Sequence, residues 1–203
     1  DWGKETHKDD FNKQVVCIRG ADIPNLQSFI ESKPPIRFIK ESSFEKRELK
    51  AGDLVLEISG GSPTQSTGRI VYITKEFLST QDYAVVTSNF CRILRSDAIL
   101  SKYIYYYFRC LYDSNQLFQY ETGTTGIKNF GYKYFSKEVF FPLPNNDLLT
   151  TFSETIEFFL NKKGNNQKEI ITLTKLRDTL LPKLISGEIK ISDAESFIDE
   201  VGI

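Results

Sequence analysis

Short apolar runs separated by turn-forming residues occupy the chain between Val15 and Pro144. Val15–Ile18, Asp53–Ile58, Arg69–Ile73, Tyr83–Leu94 and Glu138–Phe141 are rich in β-branched and aromatic residues, and most of these runs are too short for a stable helix. They predict strands. Ala51-Gly52-Asp53 reads as a tight turn feeding a buried strand, and Gly60-Gly61-Ser62-Pro63 as a loop joining two strands. Leu100–Tyr112 differs: it is a longer, densely apolar and aromatic segment, with Ser101 or Asp97 as its capping candidate, and it predicts a helix packed on the sheet. Residues 1–145 are therefore expected to form an α+β domain with a mixed sheet.

At Asn146 the period changes. Phe152, Ile156, Phe159, Lys163, Asn166, Ile170, Leu173, Arg177 and Leu180 follow alternating steps of four and three, the spacing of a heptad seam on one long helix. Lys163-Gly164-Asn165-Asn166-Gln167 makes the middle of that seam polar, and Gly164 costs roughly 1 kcal/mol of helix propensity relative to alanine. Pro182 is expected to kink or end the helix, with Ser186-Gly187 as the stop. From Asn146 to Lys183 the rod would measure roughly 55 Å at about 1.5 Å per residue. The domain before it cannot cover such a seam alone, so Phe152, Ile156, Phe159, Ile170, Leu173 and Leu180 are the expected contacts of a coiled-coil homodimer. The helical region is taken to span residues 146–191, and residues 192–203 form an acidic tail.

At 203 residues the chain can hold one sizeable core plus an appended element. No segment approaches the roughly 18 continuous apolar residues of a membrane span, so a soluble, cytoplasmic protein is expected. Cys17, Cys91 and Cys110 are odd in number, far apart and set among apolar neighbours, the pattern of reduced core residues. No CxxC pair offers a thiolate metal site. Net charge is −1, split as +2 over residues 1–145 and −3 over 146–203, with acid concentrated from Glu188 to Glu200. That balance neither favours nor excludes nucleic acid. The sequence contains no methionine, and an upstream segment is expected.

Enzyme chemistry finds little support. The single histidine, His7, lies in a charged N-terminal stretch, so a serine or cysteine nucleophile lacks an imidazole base. Gly61–Gly68 has the wrong glycine spacing for a phosphate loop, and Arg69 follows where Lys-Ser/Thr belongs. There is neither the glycine-rich cofactor loop nor the Asn/Asp-Pro-Pro-aromatic motif of an adenine methyltransferase. Asp9-Asp10 and the scattered acids form no nuclease spacing and read as solvated surface. No catalytic residue, cofactor or metal ligand is assigned to the chain.

Groups suited to DNA lie elsewhere. Gly123-Thr124-Thr125-Gly126-Ile127-Lys128-Asn129-Phe130 combines flexible backbone, small hydroxyls, a cation and an amide, which can approach phosphates and bond base edges; it reads equally as a structural turn. Gly60–Arg69 is a second polar loop, offering Gln65, Ser66, Thr67 and Arg69, and it too can be a plain strand connection. Lys33–Lys50 mixes six cations with Glu31 nearby and with Glu41, Glu45 and Glu48, and reads as a solvated face. Tyr103, Tyr105, Tyr106, Tyr107 and Phe108 could stack bases, but the packed face of a helix explains them more simply.

Leu176–Ile189, LRDTLLPKLISGEI, closely resembles the segment that closes the long helix of specificity subunits in type I restriction-modification enzymes. Other pieces resemble that family in the same order: Arg19-Gly20-Ala21-Asp22-Ile23 near the start of a target recognition domain, Leu49–Val55 as its Gly-Asp strand entry, Gly60–Gly68 before Arg69 as the loop that follows, and Gly123–Phe130 with Val139–Pro144 (VFFPLP) ahead of the helix. The helix segment is the specific one, and the rest support it.

The resemblance implies a non-catalytic target recognition domain that reads one part of a bipartite site in double-stranded DNA, joined to a helix that pairs antiparallel with a second one and spaces the two domains. Partner methyltransferase subunits would use S-adenosylmethionine, and a separate restriction subunit would cleave. One such half is present here, either a natural half-size subunit that dimerises or the C-terminal half of a longer chain. Gln65, Thr67, Arg69, Thr124, Thr125, Lys128 and Asn129 are the expected DNA contacts. Two alternatives stay open: the specificity segment of a fused restriction-methylation polypeptide, and a coiled-coil assembly protein that binds no DNA.

Overall fold

The computed structural model describes residues 2–30, 32–60, 65–123 and 127–190. In chain order these residues form β1 (Lys13–Ile18), α1 (Ile23–Gln27), β2 (Ile36–Ile39), α2 (Glu41–Arg47), β3 (Leu54–Glu57), β4 (Ser59–Gly60), β5 (Ile70–Tyr72), α3 (Lys75–Ser79), β6 (Val85–Thr87), β7 (Cys91–Leu94), α4 (Ala98–Asp113), β8 (Glu121–Thr122), β9 (Lys128–Phe130), α5 (Tyr132–Glu138) and α6 (Asn146–Ile185). The fold is α+β, with a long helix at its C-terminal end. Two compact units, Asp1–Phe158 and Phe159–Ile203, meet within α6.

The first unit is layered around β3. This strand is the centre of an antiparallel sheet, β5-β3-β7, in which Leu54 faces Tyr72 on one side and Leu94 on the other. Its side chains alternate between two cores: Val55 joins Val16, Ile18, Ile23, Val71 and Val85, while Leu54 and Leu56 join Ile70, Tyr105, Phe108 and Phe130. Burial on both faces explains why the sequence shows a continuous apolar run here instead of hydrophobic-polar alternation. The first core is closed by the sheet β2-β1-β6, where β1 runs antiparallel to β2 and parallel to β6. The second core is closed by α4, whose N-terminus is capped by the Asp97 carboxylate accepting the Leu100 N–H at 2.8 Å. Tyr105 and Phe108 are buried there, so the tyrosine cluster supplies core.

Several expectations are corrected. Tyr83–Leu94 is two strands: Ser88 donates its N–H to Ile18 at 2.8 Å, completing the pairing with β1, and the chain then turns so that Cys91 bonds back to Ser88 before β7 begins. Glu138–Phe141 is not a strand. Glu138 ends α5, and the residues after it carry no ladder, because Phe141 packs its ring on Tyr107 and Phe108 at 4.6 and 5.8 Å and Pro142 has no N–H to donate. Lys33–Lys50 contains β2 and α2 as well as solvated charge.

The helix α6 begins at Asn146, with the Asn145 side chain accepting the Leu148 N–H at 2.9 Å. It passes Gly164 without a break and continues through Pro182 to Ile185. Pro182 lacks the N–H that would bond to the Asp178 carbonyl, and the helix ends three residues later, at Ile185. The stop is Gly187, at φ +73°, which bonds to Leu184 while Glu188 bonds to Lys183, a Schellman-type ending. The expected acidic tail, residues 192–203, lies outside the described residues. Among the described residues no helix is long and apolar enough to cross a membrane.

All three thiols are free, with Cys17 and Cys91 buried and Cys110 exposed. Burial pushes the Cys17 thiol up to about 11 and Cys91 up to about 12, so both are protonated near pH 8 and lack the reactive thiolate. Titration of the native protein with a chromogenic disulfide at pH 8 is expected to label Cys110 quickly and the other two only after denaturant is added. Rapid labelling of all three without denaturant would contradict this packing.

Candidate nucleic-acid interface

The two polar loops singled out in the sequence are far apart along the chain, and the fold brings them together. The third sheet, β4-β9-β8, pairs Ser59 with Asn129, Gly60 with Lys128 and Thr122 with Asn129. One loop leaves from β4 and returns at Arg69; the other joins β8 to β9. Both therefore start from a single patch of sheet. The route to it is set in β3, which ends at Glu57, bends at Ile58 and continues as β4: the Ile58 and Ser59 N–H groups both bond to Phe90 O at 2.9 and 3.2 Å, and the Phe130 N–H bonds to Ile58 O at 3.0 Å.

Glu57 sits at that bend with its side chain only 1% exposed. A buried carboxylate must be paired. The Arg69 guanidinium supplies a two-pronged partner, Nε to Oε2 at 2.8 Å and Nη2 to Oε1 at 2.5 Å. Strand pairing repeats the connection, since the Glu57 N–H bonds to Arg69 O at 2.8 Å. Two glycines leave room for the carboxylate: a Cβ at Gly20 would stand 2.3 Å from Oε1, and one at Gly60 would stand 2.6 Å away. Beside Gly20, Arg19 pairs with Asp22 at 2.9 Å and closes a short turn.

A second carboxylate serves the other loop. Glu121, 7% exposed, holds Lys128 Nζ at 3.0 Å through Oε2. Its Oε1 accepts the Thr67 hydroxyl at 3.1 Å and the Thr67 N–H. One side chain from β8 therefore grips both loops.

The expected contacts that lie among the described residues differ in burial. Thr67 is fully buried on Glu121, and Arg69 is committed to Glu57. Gln65 is half-buried, and the carbonyl of its neighbour Ser66 accepts the Tyr112 hydroxyl at 3.1 Å. Lys128 is half-buried, with its ammonium 5.2 Å from the Phe118 ring as well as on Glu121. Asn129 is exposed. Thr124 and Thr125 lie outside the described residues. Thr67 and Arg69 thus hold the base of the first loop, and the exposed polar groups are elsewhere.

Sequence reasoning missed Glu57, Glu121, Tyr112 and the exposed Phe118. A signal for Glu57 exists: it is the single acid closing the apolar run Leu54-Val55-Leu56. Glu121 has only a weak one, its place just ahead of the glycine-threonine loop that carries Lys128. Among the described residues no group of three or more His, Cys, Asp or Glu could hold a metal ion.

The expected dimer contacts divide. Phe152 stacks edge-on against Tyr103 and Tyr106 at 6.3 and 6.0 Å, and Ile156 is buried on the same helix face. Between them Lys102 of α4 donates to Ser153 Oγ at 3.1 Å and pairs with Glu157 at 2.9 Å. The first turns of α6 are thus occupied within the chain by α4. In the second unit, Ile170 is 55% and Leu173 40% exposed.

A stretch of 51 residues, 25% of the chain, is 39% identical to the type I restriction enzyme MjaIX specificity subunit of Methanocaldococcus jannaschii. In that stretch the chain resembles a specificity subunit. The match spans 12% of that relative's length. No family model matches the chain. The likeness agrees, at the level of family, with the resemblance carried by Leu176–Ile189.

The Glu57–Arg69 pair makes a direct prediction. Arg69→Met leaves a buried carboxylate without its counter-ion, which typically costs about 3–5 kcal/mol. Urea denaturation is expected to show a loss of that size; a change under about 1 kcal/mol, the scale of a surface pair, would mean that the pair does not hold the fold.

Proposed function

We propose that this chain is a non-catalytic, sequence-reading subunit of a type I restriction-modification assembly. The observation that carries the reading is the convergence of two polar loops, from Gly60–Arg69 and Gly123–Phe130, on one small sheet braced from below by buried carboxylates. A base fixed in this way suits direct readout, in which side chains must meet base edges in fixed positions. Asn129 is the described candidate for such a contact, with Gln65 from the first loop and Thr124 and Thr125 from the second as further candidates. Thr67 and Arg69 shape the surface, and Lys128 lies at its edge.

In this reading the domain reads one half of a bipartite site in double-stranded DNA. The exposed apolar positions of the second unit, Phe159, Ile170 and Leu173, together with the half-buried Leu180, form the seam of an antiparallel homodimer that sets the distance between two reading domains. Methyltransferase subunits dock on the assembly and bring S-adenosylmethionine, and a restriction subunit supplies cleavage. The partial likeness to a specificity subunit and the helix segment Leu176–Ile189 support this assignment.

Selection from a randomised duplex pool, with methyltransferase subunits supplied, tests the function. Enrichment of one bipartite sequence with an unread spacer is expected, and a pool that stays random would remove the DNA-reading role and leave a coiled-coil assembly protein. The seam is tested separately. Ile170→Gln combined with Leu173→Gln is expected to give monomers by light scattering, and a dimer of undiminished stability would place the interface elsewhere.

A further inference from the structure

Lys128 is the more exposed of the two cations at the joined loops: its side chain is 21% exposed, against 11% for Arg69 and 7% for its own partner Glu121. Phosphate contacts by lysine bind every sequence alike and dominate salt-dependent affinity, whereas base contacts discriminate. A reading surface binds DNA of any sequence less tightly, and with less dependence on salt, when such a cation is kept from phosphates. Glu121 is built to do this. Its Oε2 neutralises the Lys128 ammonium at 3.0 Å, and its Oε1 is anchored by the hydroxyl and N–H of Thr67, so the carboxylate cannot swing away with the lysine. Thr67 is in turn fully buried, and Arg69, two residues on, is fixed by Glu57.

We propose that Glu121 is a positioning residue that withholds the Lys128 charge from DNA phosphates while it ties the two loops into one reading surface. The proposal rests on the DNA-reading role argued above. It assigns control of sequence-independent affinity to a residue that touches no DNA, acting through Lys128 and Thr67. A purely structural clamp would affect melting temperature alone; a charge restraint also changes how binding responds to salt.

The test measures affinity for the selected duplex and for a scrambled one across a salt series, using the full chain with methyltransferase subunits supplied. Glu121→Gln keeps the shape and an oxygen for Thr67 but frees the Lys128 charge. The plot of log affinity against log salt is expected to steepen by about 0.9, one additional phosphate contact. Affinity for the selected and the scrambled duplex is expected to rise together, by roughly three- to tenfold at low salt, with the preference between them kept. The double variant Glu121→Gln, Lys128→Met removes both charges and serves even where the single variant folds poorly; its salt slope should match that of the unmodified protein. An unchanged slope in Glu121→Gln would overturn the proposal, and so would a flatter slope in the double variant, which would show Lys128 already on a phosphate. If the unmodified protein prefers no sequence, the DNA-reading role falls first and takes the proposal with it.

Discussion

The buried pair between Glu57 and Arg69 is the constraint from which the reading surface follows. A carboxylate 1% exposed at the end of the central strand must find a full counter-charge, and the guanidinium fork supplies it at 2.5 and 2.8 Å. Meeting that demand fixes where the chain returns after its loop, because Arg69 must lie opposite Glu57. It also fixes what can surround the carboxylate: Gly20 and Gly60 approach so closely that neither position has space for a Cβ. Three segments distant in sequence are thereby held to one point. The bend at Ile58, which carries the strand from the core sheet into the small sheet of loops, begins at that point.

From there the second loop is placed by ordinary sheet pairing and by Glu121. The result separates two kinds of polar residue. Those at the loop bases, Thr67, Arg69 and Lys128, are matched to carboxylates of the chain itself, while Asn129 is exposed. Sequence alone draws no such line, since a threonine or arginine in a polar loop looks the same in either role. Nor does net charge help: near zero, it reflects internal pairing as much as the absence of a polyanionic partner.

Legibility followed the range of the interactions concerned. The start of α6 at Asn146, the capping of α4 by Asp97 and the buried strand at Leu54 were readable because local period and local hydrogen bonds decide them. Tyr83–Leu94 was read as one strand because the turn at Ser88 depends on pairing with Ile18, far away in the chain. Glu138–Phe141 misled because aromatic packing with α4 replaced the sheet that its composition suggests. Phe152 and Ile156 fit the heptad seam, yet α4 takes them, through rings at Tyr103 and Tyr106 and the Lys102 ammonium. A periodic stripe reports that a face is to be buried and does not say by what. The convergence of the two loops could not be read at all, since it depends on pairing between β4 and β9.

The central claim is that Gly60–Arg69 and Gly123–Phe130 act as one surface on one stretch of DNA. Photocrosslinking from single sites at position 65 and position 129, in the assembled complex on its selected duplex, tests it most directly. Both positions are predicted to crosslink to bases of the same half-site. Crosslinks to opposite half-sites, or to the unread spacer alone, would contradict the account.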